Sequence, residues 1–333
     1  MRRTEIISTG RCVPDRVVTN DDLAKLMDTS DEWIRQRTGI LERRWVPEGK
    51  EIGGSDLAKV ATERALEKAE MSIEKIDAII YATLSPDHMF PGTGCFLQTK
   101  LGLEGVPALD IRNQCSGFIY GLSIADAWIR TGTYERILLV GAEVHSTGLD
   151  VTTRGRDVAV LFGDAAAAVI LGPTQDDDRG LLSVNLGADG RYAKKLWIDV
   201  PGSIYHPQCG PAQLEEGRQF PSMEGSRVFK QAVVKMPWAV KRALEDCGLC
   251  TEDIDLLIPH QANQRISEMV QRSLSLRDDQ VFNNIERYGN TTAATIPLAL
   301  DEAVEQGRLK RGDLLAMTAF GAGFTWGAAV VRF

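Results

Sequence analysis

The chain has 333 residues, 44% hydrophobic and 25% charged, the proportions of a globular protein with a large core and a length that allows two domains or one duplicated one. Its net charge of −8 argues against general nucleic-acid binding through a basic surface, and no apolar run approaches the roughly 20 residues of a membrane span. Cys12, Cys95, Cys115, Cys209, Cys247 and Cys250 are dispersed, and MRRTEIISTGRCVP at the start has no apolar segment after its arginines; the expectation is a cytoplasmic protein with reduced thiols.

The first informative element is RALEKAEMSIEKIDAII at 64–80. Good helix formers lead through a short turn to an apolar run suited to a strand covered on both faces. The pattern returns at 242–258 as RALEDCGLCTEDIDLLI, sharing R-A-L-E and E-x-I-D-x-x-I without a gap at an offset of 178. A weaker echo links SIADAWIRTGTYERILLVG (123–141) to LALDEAVEQGRLKRGDLLAM (298–317). Two ordered copies of a helix–turn–strand unit imply duplication and a layered α/β fold.

Within the first copy, DIRNQCSGFIYGL (110–122) joins the apolar run 106–111 to a helical segment and places Cys115 at the junction. A thiol at a helix N-terminus sits near about half a positive charge, which can lower its pKa from about 8.5 toward 3.5–7.5. An ordinary buried cysteine is the competing reading. The polar break at Pro173–Gly180 suggests halves at 1–175 and 176–333. The Gly- and Pro-rich segment 186–224 is expected to be a packed cap, with Trp197, Ile198, Ile204 and Tyr205 supplying apolar surface to bury.

In the second copy, Cys247-Gly-Leu-Cys250 could be redox-active or half a zinc site, although no second ligand pair follows. The strand 254–258 runs straight into Pro259-His260-Gln261-Ala262-Asn263, a position from which a histidine can line a crevice at the sheet edge. Asn290, in Gly289-Asn290-Thr291, can cap the next helix or offer its amide to an oxyanion, and it stands where Cys115 stands in the first copy. Gly321-Ala322-Gly323 lets backbone N–H groups approach a substrate closely, or simply connects strands tightly. GADGRY and FGDAAAA match neither a Walker loop nor GxGxxG.

Taken together, TSDEWIRQRTGI (29–40), NQCSGF (113–118), FGDAAAA (162–168), PHQANQRI (259–266), GNTTAATIP (289–297) and FGAGFTWG (320–327) resemble the β-ketoacyl-acyl-carrier-protein synthase III family of thiolase-like condensing enzymes, nearly end to end. The resemblance implies a five-layered αβαβα fold and a homodimer. It implies that Cys115 is the acylated nucleophile, that His260 and Asn290 complete a triad, and that the N–H groups of Cys115 and Ala322 form the oxyanion hole. By the same matching, Trp33 and Arg154 would clasp the adenine of coenzyme A (CoA), and Arg37, Asn263, Gly225 and Phe229 would line its approach. Phe90 would reach across the dimer to close the acyl pocket. Lys230, Arg265 and Arg272 would dock the acyl carrier protein (ACP). No cofactor is implied, since acyl-CoA and malonyl-ACP are substrates.

The implied reaction is decarboxylative condensation of an acyl-CoA primer with malonyl-ACP. This chain departs from the family's usual pattern at Gln114, in the alanines of FGDAAAA, at Ala322 and in the length of 190–224. These departures leave the primer open, acetyl-CoA being the default and a medium-chain primer an alternative. Two other readings stand beside it: a specialised ketosynthase-like acyltransferase with a different second substrate, and a redox or binding protein using Cys247 and Cys250.

Overall fold

The two RALE segments fold as the same unit. The computed structural model describes residues 3–176 and 178–333, so Asp177, in the expected break at Pro173–Gly180, lies outside the described residues. Nine strands build the two main sheets: β1 (Arg3–Cys12), β2 (Ala78–Ala82), β3 (Ala108–Ile111), β4 (Ile137–Glu143), β5 (Ala165–Thr174), β6 (Gly180–Ala188), β7 (Leu256–Pro259), β8 (Leu314–Gly321) and β9 (Thr325–Arg332). Helix α1 (Asp31–Thr38) belongs to a separate cluster, while α2 (Gly54–Lys68), α3 (Gly117–Thr131), α4 (Gly225–Glu245), α5 (Gln264–Ser273) and α6 (Thr295–Glu305) pack on the sheets.

The first sheet has the order β1-β5-β4-β2-β3 and the second β7-β8-β9-β6. Their paths match. The echoed strands pair in parallel, β2 with β4 and β7 with β8. Each pair is extended by an antiparallel strand, β5 or β9, and then by β1 or β6. The place of β3 is taken in the second sheet by a single parallel bridge from Leu257 to Val281. Every residue of β2, β4 and β8 is buried, which accounts for continuous apolar runs in place of alternation.

Three packing clusters set the layers. Phe118, Leu122 and Ile129 of α3 share one core with Ile296, Leu300 and Ala303 of α6 and with the facing residues of both sheets. Outside the first sheet, α2 packs Leu57, Ala61 and Ala65 on Ile79, Leu138 and Val140. Outside the second, α4 and α5 pack Met236, Val240, Ile266 and Val270 on Leu257, Ala316 and Val330. Helix, sheet, paired helices, sheet, helix makes five layers. Both central helices therefore start at the same level of the molecule, just beyond the ends of the buried strands.

The cap differs from expectation at its edges. Strand β6 continues to Ala188, paired with Thr325, so the first residues of 186–224 belong to the sheet. Leu196–Trp197 pairs with Ser222–Met223, and Pro211–Glu215 is a short helix. Trp197 and Tyr205 are partly buried, but Ile198 and Ile204 are 45% and 81% exposed. The segment is held instead by a polar knot in which Arg218 bonds Asp199 and the Tyr205 hydroxyl, and that hydroxyl bonds Asp199.

Candidate functional site

The site is assembled where α3 and α6 begin. After β3 the chain makes a 3₁₀ turn, Gln114–Ser116, into α3. Cys115 in that turn is buried and lies against the end of β8. A Cβ on Gly321 would stand 2.7 Å from Cys115 Cβ and 3.1 Å from its sulfur, so only glycine permits this approach. The N–H groups of Cys115 and Ala322 and the Thr292 hydroxyl all favour the thiolate form of the sulfur.

Those donors do not make the resting thiol acidic. Burial, with the Glu143 carboxylate adding to it, pushes it up to about 12. The lowered pKa that a helix N-terminus can produce is therefore not realised, because desolvation of a thiolate outweighs a partial charge.

The second turn, Thr292–Ala294, leads into α6. Asn290 is fixed ahead of it by its backbone. Its N–H donates to Leu161 O at 2.7 Å, and its carbonyl accepts from Gly163 at 3.1 Å. The start of FGDAAAA and the residue before it do this: Leu161 and Gly163 hold Asn290, while Asp164 accepts from the N–H groups of Val46, His145 and Ser146. The Asn290 Oδ1 accepts from Thr292 N–H at 2.9 Å, which leaves Nδ2 as the donating end of the side chain.

His260 follows β7, with its N–H on Thr318 O at 2.8 Å. The Thr295 hydroxyl donates to the Thr292 carbonyl at 2.9 Å and lies 2.7 Å from His260 Nδ1. Its one proton being used, its oxygen accepts from Nδ1–H. This network assigns the tautomer: Nε2 carries a bare lone pair, and it is buried without a partner. Burial holds the ring neutral, with a pKa near 3.

The thiol faces a cavity of about 660 Å³, which Cys115, Thr292, His145 and Ala322 line together with Ser85, Arg112 and Gln114. The cap supplies its apolar lip through Leu196, Trp197, Ile198 and Pro201. Glu143, beneath the site, accepts from Leu84 and Ser85 N–H, the Thr83 and Ser85 hydroxyls and Ala293 N–H. Burial raises its pKa to about 7.

The remaining predicted residues separate into groups. Trp33 is flanked by the guanidiniums of Arg37 at 4.5 Å and Arg156 at 5.1 Å. Arg154 instead turns to Asp150 at 2.6 Å and to the cap, at Glu215 O and the Phe220 ring. Asn263 caps α5 and donates to Arg37 O at 2.8 Å, tying α5 to α1. Gly225 opens α4, and Phe229 lies under the Arg265 guanidinium at 5.7 Å. Lys230, Arg265 and Arg272 are exposed on α4 and α5, beside exposed Val234, Trp238 and Met269. Phe90 is 86% exposed and lies outside this chain's own cavity wall.

Sequence reasoning passed over His145, Thr292 and Glu143. His145 carried the same signal as His260, a histidine just past a buried strand. Cys247 bonds back to the Ala243 and Leu244 carbonyls at 3.3 Å, while Cys250 engages Asp253 at 3.1 Å; both thiols are raised, Cys247 chiefly by burial and Cys250 by its hydrogen bond to Asp253.

Comparison with known proteins gives a consistent result. A family model described as 3-oxoacyl-[acyl-carrier-protein (ACP)] synthase III matches residues 109–190, and the model of its C-terminal part matches 244–333. The β-ketoacyl-[acyl-carrier-protein] synthase III of Alkalilimnicola ehrlichii is 46% identical over 100% of both chains. The protein of that name from Xanthomonas campestris is also 46% identical, covering 99% of this chain and 98% of its own. The crystal structure of 3-oxoacyl-[acyl-carrier-protein] synthase III from Aquifex aeolicus superposes with a TM-score of 0.90 at 42% identity, over 99% of this chain and 100% of that one. Similarity of this extent overturns the redox reading of Cys247 and Cys250: the chain belongs to the β-ketoacyl-acyl-carrier-protein synthase III family, acyltransferases of the condensing type with the thiolase-like fold.

Proposed function

We propose that this enzyme condenses an acyl-CoA primer with malonyl-ACP through an acyl-Cys115 intermediate, releasing CoA, CO₂ and a β-ketoacyl-ACP. The observation that carries the reading is convergence on one sulfur. Two backbone N–H groups and a hydroxyl favour the thiolate of Cys115, and the turn that supplies the hydroxyl also holds Asn290 and, through Thr295, His260.

In the first half-reaction the thiol proton passes to the bare Nε2 of His260 as sulfur attacks the acyl-CoA carbonyl. The resulting oxyanion is held by the N–H groups of Cys115 and Ala322, and the CoA thiolate leaves with the proton. One thioester replaces another, so little driving force is spent. In the second, the malonyl carboxylate departs as neutral CO₂, which consumes one proton overall. Taken up at His260 Nε2, it is offered to the enolate oxygen beside Asn290 Nδ2. The enolate carbon attacks the acyl-Cys115 carbonyl, and the released sulfur recovers the proton. Covalent catalysis is thus joined to preorganised donors. Burial opposes imidazolium in the resting site; the enolate's own charge offsets that cost.

Trp33, Arg37, Arg154, Gly225, Phe229 and Asn263 form our proposed CoA approach, with Arg156 added on the face of Trp33. ACP is acidic and this chain carries −8, so docking needs a local patch. Lys230, Arg265 and Arg272, around exposed Val234, Trp238 and Met269, supply one. We propose a cytoplasmic homodimer of two-part chains, divided at 1–175 and 176–333, in which exposed Phe90 closes the partner's acyl pocket. The two thioesters are substrates and no cofactor enters the scheme. Among the described residues no helix is long and apolar enough to cross a membrane.

Intact-protein mass after incubation with acetyl-, butyryl- and octanoyl-CoA tests the first step, with Cys115→Ala as control. A Cys115-dependent adduct that malonyl-ACP discharges with CO₂ release is expected. An adduct retained by Cys115→Ala, or discharge without CO₂, would overturn the scheme.

A further inference from the structure

A second histidine reaches the nucleophile through a hydroxyl. His145 stands two residues beyond β4, its N–H anchored on Asp164 Oδ1 at 2.7 Å and its ring against Phe162 at 4.7 Å between centroids. It is only 7% exposed, and it lines the cavity with Cys115 and Thr292. Its Nε2 lies 2.8 Å from the Thr292 hydroxyl, and that hydroxyl, on the cavity wall it shares with Cys115, favours the thiolate over the thiol.

Thr292 is an unusual residue to find there. Its φ is +48°, a left-handed conformation that β-branched side chains almost never adopt. Glycine or asparagine would relieve the strain, and such strain concentrates at working sites. The Thr292 N–H is already used on Asn290. What threonine adds is the hydroxyl, and its place at the sulfur gives the strained residue a purpose.

The direction of the bonds follows from counting protons. Burial holds His145 neutral, with a pKa near 3, so the ring serves here as a hydrogen-bond partner and not as a base. Thr292 has one hydroxyl proton. If it points at sulfur, the oxygen must accept from His145 Nε2–H. The two histidines then hold opposite tautomers: His260 presents a bare Nε2 to the reaction, and His145 presents a protonated one to Thr292.

We infer that His145 is a positioning residue that turns the Thr292 hydroxyl toward the Cys115 sulfur, making it a third donor to the thiolate whenever that thiolate forms. The inference rests on Cys115 being the nucleophile. Around the thiol, Glu143 is the titratable group that opposes its ionisation; Asp87 and Arg112 lie on the same cavity wall, and His260 follows the neighbouring strand β7.

The test measures two rates in wild type, His145→Phe, His145→Gln, Thr292→Val, Thr292→Ser and the His145→Phe/Thr292→Val double variant. One is acyl loading from acetyl-CoA by intact mass. The other is alkylation of Cys115 by iodoacetamide across pH 7–10, where the rate follows the thiolate fraction and climbs tenfold per unit below the thiol's pKa. Removing the charge-assisted bond is expected to slow loading about tenfold and displace the alkylation profile upward by about one pH unit. His145→Phe and Thr292→Val should each do this, and the double variant should be no slower than either, because both remove the same bond. Thr292→Ser, which keeps the hydroxyl, should recover most of the loss seen in Thr292→Val, and His145→Gln, which retains an N–H at similar reach, should recover most of that seen in His145→Phe. Rates for His145→Phe within twofold of wild type, or effects that multiply in the double variant, would overturn the inference while leaving the nucleophile assignment standing. Absence of any Cys115-dependent adduct in wild type would instead overturn the assignment itself, and the alkylation profiles would still decide the contact.

Discussion

The two turns that open α3 and α6 are copies of one backbone device with different chemistry. The first follows strand β3 and the second the short helix Ile285–Tyr288, and each makes a single 3₁₀ turn into a central helix. Each also strains one non-glycine residue into positive φ, Gln114 at +45° and Thr292 at +48°. The first turn carries a thiol within reach of two N–H donors; the second carries a carboxamide, a hydroxyl and, through Thr295, the hold on His260. Duplication supplied two equivalent platforms facing one crevice. In the proposed scheme, divergence placed the nucleophile on one platform and the donors to the enolate on the other.

The largest break of this comparison is Asn290→Ala. Losing one preorganised donor costs about 2.7–4 kcal/mol of transition-state stabilisation, or about 10²–10³ in rate. Steady-state assay with malonyl-ACP should show that fall in condensation, while acyl loading onto Cys115 in the mass assay stays within a fewfold of wild type. Equal loss of both would place Asn290 on the nucleophile's side of the division.

Gly321→Ala attacks the first turn. Its new Cβ would meet Cys115 Cβ at 2.7 Å and the backbone N at 3.1 Å, so the turn must shift. We expect about 1–3 kcal/mol of destabilisation from overpacking, read as a lowered urea midpoint, together with a loading rate down at least tenfold. The matching insertion at a glycine with open space, Gly190→Ala, should do neither.

The buried histidines give a pH signature. His145 and His260 are held near 3 in the fold, against about 6.5 in an unfolded chain. Below 6.5 the unfolded chain therefore binds protons that the folded one refuses. The stability they contribute is complete above 6.5 and is lost as pH falls toward 3, with a limiting slope of about 1.4 kcal/mol per pH unit for each ring. Glu143, raised to about 7, acts in the opposite sense, its folded form gaining relative stability as pH falls from 7 to 4.5. Replacing His145 by Phe should flatten the urea-denaturation slope between pH 6 and 4 by about one ring's share; an unchanged slope would mean the ring is charged in the fold.

The smallest effect is expected at the surface. Arg265→Glu with Arg272→Glu should raise the KM for malonyl-ACP severalfold at low salt, less at high salt where surface charge is screened, with acyl-CoA loading unchanged. A KM that ignores both the substitutions and the salt would remove this patch from the docking reading.

Much of this was legible before the fold. The gapless repeat marked which helices and strands are equivalent, and the entries to the helices before the echoed strands singled out Cys115 and Asn290. Capping chemistry and glycine spacing pointed to 289–291 and 321–323 on equally local grounds. The cap was legible only in part. Its glycines and prolines announced irregular structure, but Ile198 and Ile204 stayed exposed because the Asp199–Tyr205–Arg218 knot, which no local pattern announces, sets its conformation.

Local pattern determined the element order, the duplication and the residue types gathered at the two helix starts, because hydrophobic period, turn residues and caps act between near neighbours in the chain. Tertiary structure alone decided how those residues behave. The thiol is raised because the assembled layers exclude water from it, against the pull of the helix start that contains it. His145 meets Thr292 across 147 residues of sequence, and His260 takes its tautomer from Thr295, 35 residues away. Desolvation and long-range hydrogen bonds exist only once distant segments are packed together, and burial is what pushes Cys115, His145, His260 and Glu143 toward their neutral forms.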